Sequence, residues 1–211
     1  MCWNKEISFL TFFIGTLFNI LLWNYTTNGY VRIIALLWQF VLFMQIFEGL
    51  SWISKETNNK SLSIFSTYGA FIFNILQPII FAICCIYMTT SIVTKYILII
   101  LMGIYLLMIL FQYKTLQLDK DLYKDADTCH HLVLYWWEKI NIFPIYILLL
   151  IIGCLSIQPL WLGISQLGYI FITLIISNIV YPCSYGSIWC WFAAFAPLFT
   201  YILIRFQSHN I

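Results

Sequence analysis

The chain has 211 residues, of which 63% are hydrophobic and only 9% are charged, and its formal net charge is +2. Soluble domains carry about 25% charged residues, so this composition excludes a water-soluble fold and indicates an integral membrane protein whose partner is the lipid bilayer. The small net charge gives no indication of nucleic-acid binding.

Apolar runs of about 20 residues mark helices that cross a bilayer, and seven such runs follow one another here, separated by polar breaks. The longest break, from Lys114 to His131, contains four Asp and three Lys, so it must lie in water. No linker or internal repeat divides the chain. We therefore predict an all-α polytopic membrane helix bundle, one domain over residues 1–211, with spans at about 7–25, 31–52, 66–89, 93–113, 141–159, 162–181 and 188–206.

Two prolines, Pro78 and Pro197, fall inside spans three and seven. Kinks at such positions are tolerated in membrane helices when neighbouring groups satisfy the freed carbonyl. The segment from His130 to Ile142, before span five, is amphipathic and aromatic and is compatible with a position along the interface.

Seven spans place the two termini on opposite membrane faces. We call the face that holds the N-terminus face A and the other face B. Face A holds seven Lys or Arg residues and face B holds three. Because cytoplasmic loops carry an excess of Lys and Arg, we predict that the N-terminus is cytoplasmic and the C-terminus is outside.

Glu48 is the one acidic or basic residue that the hydropathy pattern places inside the membrane. Burying it costs about 2.5–3.5 kcal/mol on translocon scales, so such residues usually face the bundle interior and mark function. Gln45 shares its stripe of span two, and Asn74 and Gln77 share one stripe of span three. We predict that Glu48 points toward these amides, either as a proton carrier, ion ligand or acid/base group, or as a structural hydrogen-bonding residue.

Two further polar stripes predict hydrogen bonds between helices, which are the commoner use of such residues in membranes. They consist of Ser8, Thr11, Gly15 and Asn19 in span one, and of Gln166, Tyr169, Thr173 and Ser177 in span six.

The chain's remaining unusual residues lie at face A. Successive spans cross the membrane in opposite directions, so segments that are distant in the sequence return to the same face. Asp127, His130 and His131 have a spacing that can chelate Zn²⁺ on a helix, although a solvated acidic loop is the alternative, and we predict no metal and no cofactor. The residues that parity gathers at this face are Cys2, Trp3, Glu6, Glu48, His131, Cys183, Trp189 and Cys190.

Short motifs along the chain resemble an uncharacterised family of multi-pass membrane proteins found in large DNA viruses and in some bacteria. That family implies an α-helical membrane protein without an agreed activity, and its members tend to start Met-Cys-Trp. One departure is that His131 is followed by Leu-Val-Leu where His-x-x-Trp is expected. The motifs are Met1-Cys2-Trp3-x-x-Glu6-x-Ser8, Met44-Gln45-x-x-Glu48-x-x-x-Trp52, Asn74-x-x-Gln77-Pro78, His131 and Trp189-Cys190.

Three classes of function follow from these observations. The first is a transporter or channel for a small solute or a proton, using the interior stripe that includes Glu48. The second is a structural or assembly protein of a viral or internal membrane, in which the polar stripes only hold the bundle together. The third is a membrane-embedded enzyme that uses Glu48, His131 and cysteines at face A.

Overall fold

The computed structural model describes residues 4–112, 141–182 and 184–208, and these residues form helices and no strands, which confirms the predicted all-α class. A 3₁₀ turn at Ala193–Phe195 joins the last two helices. The helices are α1 Lys5–Tyr25, α2 Gly29–Thr57, α3 Lys60–Met88, α4 Ile92–Gln112, α5 Phe143–Leu155, α6 Leu160–Val180, α7 Tyr185–Phe192 and α8 Ala196–Ser208.

Six helical segments among the described residues are long and apolar enough to cross a membrane, and α7, the 3₁₀ turn and α8 together supply the sixth, Ile188–Gln207. The predicted span 141–159 corresponds to α5, which has only 13 residues. Such a helix is about 20 Å long, which is less than the roughly 30 Å of a bilayer's hydrocarbon core. The chain is therefore an integral membrane protein in which one of the seven predicted spans is a short helix.

The turn after α5 lies inside the protein, since Ser156 and Ile157 are both buried. Irregular backbone at membrane depth is tolerated only where it is shielded from lipid and satisfied by hydrogen bonds. Here the amides of Ser156 and Ile157 donate to the carbonyls of Ile152 and Cys154, at 3.1 Å each. The backbone of the turn that follows the short helix is thus shielded and hydrogen-bonded inside the protein.

Helices α2 and α3 extend beyond the predicted spans 31–52 and 66–89, because helical hydrogen bonding continues into polar residues at face A. The two helices are joined by Asn58 and Asn59. Asn58 adopts a left-handed conformation (φ 49°), which Asn tolerates better than most residues. The side chain of Asn59 accepts a hydrogen bond of 3.1 Å from the Leu62 amide and caps α3.

Helix α2 is the centre of the bundle and packs chiefly against α1 and α3. An ion pair between Lys5 and Glu56 joins the start of α1 to the end of α2 at face A. At the opposite end, the rings of Tyr25 and Tyr201 meet edge to face with centroids 4.8 Å apart. Helices α1 and α8 therefore run in the same direction, and residues 4 and 208 lie at opposite ends of the bundle.

The two interior prolines behave differently. Pro197 cannot donate to the Ala193 carbonyl, and the chain forms the 3₁₀ turn there, in which the Ala196 amide donates to that carbonyl instead. The hydroxyl of Tyr169 then donates to the Phe192 carbonyl at 2.7 Å. By contrast, α3 continues as a helix through Pro78.

Candidate functional site

Glu48 lies in the interior of the bundle with 0% of its surface exposed. It is nine residues before the end of α2 at Thr57, which corresponds to about 13 Å along the helix axis. The Nε2 of Gln45, one turn earlier, donates a hydrogen bond of 3.1 Å to Glu48 Oε2. Glu48 therefore lies more than two helical turns from the end of α2.

The polar face of α3 is also buried, with Asn74 and Gln77 separated by one turn. The hydroxyl of Tyr146 on α5 donates to Gln77 Oε1 at 2.5 Å. The hydroxyl of Tyr105 on α4 is 3.5 Å from the Ile75 carbonyl, a long and weak hydrogen bond. Two buried tyrosines thus connect α4 and α5 to the polar face of α3.

Cys190 on α7 is a buried free thiol, and it interacts electrostatically with both Glu48 and Tyr146. Its neighbour Trp189 lies with its ring centroid 6.4 Å from that of Trp38. Since Trp38 is nineteen residues before the end of α2, Trp189 and Cys190 lie beside the middle of α2 and not at the membrane surface.

We group these residues as the Glu48 cluster, in which two hydrogen-bonded pairs, one on α2 and one between α3 and α5, both interact electrostatically with Cys190 of α7. Carboxyl, amide, phenol and thiol groups are all present in it, and each except the amides can both give and take up a proton. Its members are Gln45, Glu48, Gln77, Tyr146 and Cys190.

Among the residues that the structure describes, two polar atoms at the cluster and beside it are buried without a hydrogen-bond partner. These are Nε2 of Gln77 and the indole Nε1 of Trp189. A buried donor that is left unsatisfied costs about 1–3 kcal/mol, and such an atom in a native fold requires an explanation.

A second polar group, closer to face B, is fully satisfied. The Nε1 of Trp38 donates to Gln166 Oε1 at 2.9 Å, and Gln166 Nε2 donates to Thr200 Oγ1 at 3.1 Å. Thr200 in turn donates to the Ala196 carbonyl at 2.8 Å. This chain of bonds connects α2, α6 and α8, and it acts as structural hydrogen bonding.

The predicted bonding between helices is made by the amides and by the Tyr169 hydroxyl, but not by three of the short hydroxyl side chains. Asn19 donates to Gln39 across α1 and α2 at 3.0 Å. In contrast, Ser8, Thr173 and Ser177 donate to carbonyls four residues earlier. A short hydroxyl side chain reaches its own helix backbone more easily than a neighbouring helix.

Several predicted site residues do not join the Glu48 cluster. Glu6 lies at the start of α1 with 65% of its side chain exposed, 3.9 Å from the Lys5 ammonium. Among the residues that the structure describes, no group of three His, Cys, Asp or Glu side chains could hold a metal ion. The predicted residues that lie outside the described ranges are Cys2, Trp3, Asp127, His130, His131 and Cys183.

Tyr146 and Tyr105 are members of the interior that the sequence did not indicate. Tyr146 is the only buried tyrosine of α5, and Tyr105 is the only buried tyrosine of α4. Each combines a large apolar ring with a hydroxyl group. A buried tyrosine usually requires a hydrogen-bond partner. An isolated Tyr in an otherwise aliphatic run is therefore the signal that could have found them.

No protein-family model, no curated protein and no solved structure matches this chain.

Proposed function

We propose that this membrane protein carries protons across the bilayer through the Glu48 cluster, with Glu48 as the group that takes up and releases the proton. The observation that supports this most is the complete burial of the Glu48 carboxyl in the interior, together with its bond to Gln45. An intramembrane ionisable residue of this kind marks a proton or ion pathway in many membrane proteins.

The neighbours of Glu48 support a proton over a larger solute. The Cys190 thiol and the Tyr146 hydroxyl both carry exchangeable protons, and Cys190 is within electrostatic range of Glu48 and Tyr146 alike. A proton can pass between such groups without a cavity wide enough for a solute. Four grooves of the bundle have described linings, and none of them is lined by a residue of the Glu48 cluster.

Helix α3 supports the proposal from the other side of the cluster. Pro78 follows Gln77 directly and cannot donate to the Asn74 carbonyl. One intrahelical bond is therefore lost next to the amide that accepts from Tyr146. Helices that are weakened at the binding site are a recurring feature of transporters.

The test is a proton-flux measurement in proteoliposomes that contain an entrapped pH indicator, driven by a potassium diffusion potential. We expect Glu48→Gln to reduce the flux by about two orders of magnitude, which is typical of removing a proton-transferring group. The variant should still fold, since a neutral amide is cheaper to bury than a carboxylate.

Glu6→Gln is the matched control, because it makes the same chemical change at an exposed position at the start of α1. Its flux should equal that of the unmodified protein. Unmodified protein that conducts no protons, or a folded Glu48→Gln variant with full flux, would contradict the proposal. The structural role of the polar stripes would then be favoured.

A further inference from the structure

A groove between α1 and α8 opens at the face B end of the bundle. Its volume is about 350 Å³, within the range of about 300–1,000 Å³ that small-molecule sites occupy. Phe18 is seven residues before the end of α1 at Tyr25, so the groove extends about 10 Å from that end toward the middle of the membrane. We call it the α1–α8 groove, and its lining consists of Phe18, Leu21, Asn24, Tyr25, Leu198 and Tyr201.

The guanidinium of Arg205 is held at the surface end of this groove. Arg205 is an exposed residue in the last turn of α8, one helical turn after Tyr201. Its Cζ lies 5.8 Å from the centre of the Tyr25 ring, and the guanidinium also donates a hydrogen bond to the Tyr25 hydroxyl. Because Tyr25 and Tyr201 both line the groove, a positive charge lies at its opening.

Face B, where the groove opens, has positive side chains and no acidic ones. The parts of the sequence that reach this face are 24–34, 86–97, 155–162 and 202–211, and they contain no Asp or Glu. Their Lys and Arg residues are Arg32, Lys95 and Arg205. Because complementary charge selects the partner at an interface, this face favours a negatively charged ligand.

A phospholipid matches both the charge and the depth of the groove. A guanidinium has five N–H donors and binds phosphate through two of them, so the bond to Tyr25 is compatible with a bound phosphate. Deeper than Arg205, at the level of the acyl chains, the groove presents the apolar side chains of Leu21 and Leu198. A free phosphate would contact the guanidinium alone and would leave this apolar part to other lipids.

We propose that the α1–α8 groove binds an anionic phospholipid, with its phosphate on the Arg205 guanidinium and the upper part of one acyl chain against Phe18 and Leu198. The exposed amide of Asn24, near the end of α1, supplies a further donor for the glycerol or phosphate oxygens. An anionic lipid is favoured over a zwitterionic one, because the positive amine of a zwitterionic headgroup would meet basic side chains and no acidic side chain at this face.

The experiment uses phosphatidylglycerol with a photoreactive group near the carboxyl end of one acyl chain, added to the full-length protein in detergent micelles. The labelled peptides are mapped by mass spectrometry, and we expect labels within 18–25 and 198–201. Arg205→Gln should weaken labelling about tenfold, as expected for the loss of a hydrogen bond between charged groups. Lys95→Gln is the matched control, because it removes the same charge at face B from α4, which packs against α3 and α5. It should leave labelling unchanged.

Competition on the unmodified protein makes the test independent of how well the variants fold. Unlabelled phosphatidylglycerol should displace the probe, whereas phosphatidylcholine with the same chains should be about fivefold weaker, as expected for one charge near a membrane surface. Inorganic phosphate should not displace the probe. Labelling elsewhere, equal competition by phosphatidylcholine, displacement by inorganic phosphate, or equal labelling of the Arg205→Gln and Lys95→Gln proteins would overturn the proposal.

Discussion

The hydroxyl of Tyr146 donates a hydrogen bond of 2.5 Å to Oε1 of Gln77, and so connects α5 to α3 in the bundle interior although the two residues are 69 positions apart. The hydropathy pattern identifies Gln77 as a polar residue in an apolar span. It does not identify Tyr146, which lies in an otherwise aliphatic helix. The pair fixes the short helix α5 against the proline-containing part of α3. It also positions one of the exchangeable protons of the Glu48 cluster.

Replacing Tyr146 by Phe should destabilise the protein by about 1 kcal/mol, because the Gln77 amide loses a hydrogen bond while the apolar packing is kept. The variant should also slow proton flux in the proteoliposome assay. Tyr105→Phe is the control, since its hydroxyl makes only a 3.5 Å contact with the Ile75 carbonyl. Thermal unfolding in detergent should show a larger loss for Tyr146→Phe, and equal losses would argue against the importance of the bond.

Gly163 in the first turn of α6 is required by the close approach of α5. A Cβ atom at this position would collide with the backbone carbonyl oxygen of Cys154, whereas one at Gly103 would meet nothing within 4 Å. We expect Gly163→Ala to destabilise the protein by about 2 kcal/mol through overpacking. Gly103→Ala should be neutral or stabilising by up to about 1 kcal/mol, because Ala favours helix formation.

Thermal unfolding of the two glycine variants, measured side by side, checks this prediction. A Gly163→Ala protein that is as stable as the Gly103→Ala protein would mean that the turn between α5 and α6 adjusts without cost.

Cys190 should be a reduced thiol that is protected by packing. In a variant that retains it as the sole cysteine, a membrane-permeant maleimide should react only after unfolding, because the residue is 1% exposed. A variant with Cys84 alone should react faster in the folded state, since Cys84 is only half-buried. Labelling of Cys190 in the folded protein, at the rate seen for Cys84, would place it on an accessible path.

Opposite locations of the two termini follow from the parallel directions of α1 and α8. The test uses sealed vesicles in which the cytoplasmic side of the membrane faces the lumen. We expect external protease to cleave a tag at the C-terminus and to leave a tag at the N-terminus intact. The assignment of the N-terminus to the cytoplasm is a prediction from the distribution of Lys and Arg. Finding both tags on one side would contradict the fold, whereas the reverse arrangement would contradict only the orientation.

The apolar runs predicted the helices because a membrane helix must satisfy its backbone internally and cover it with apolar side chains. They did not predict where α2 ends and where α3 begins, because a helix that has left the lipid no longer needs apolar residues. Lys55 and Glu56 continue α2 in water, and the chain turns only at Asn58.

The partners of the interior residues could not be predicted from the sequence. The stripe on α6 predicted that Gln166 faces other helices, but helical periodicity gives the direction of a side chain and not its partner, which is Trp38 of α2. Their hydrogen bond joins residues 128 positions apart and depends on how the helices pack. The interruption of the last span by the 3₁₀ turn at Ala193–Phe195 was only partly predictable. Pro78 and Pro197 have the same chemistry, but only Pro197 is accompanied by the end of a helix.

Because α5 has only 13 residues, the hydrophobic surface of the protein is shorter on the α5 side than on its other sides. Helices α4 and α6 have 21 residues each, about 31 Å, against about 20 Å for α5. Leu148 and Leu155 of α5 are partly exposed, so lipids that border this side meet a shorter hydrophobic wall. Hydrophobic mismatch of this kind thins the adjacent bilayer and sorts proteins among membranes of different thickness. The protein should therefore accumulate in the thinner membranes of a cell, with its α5 side as the point of greatest lipid deformation.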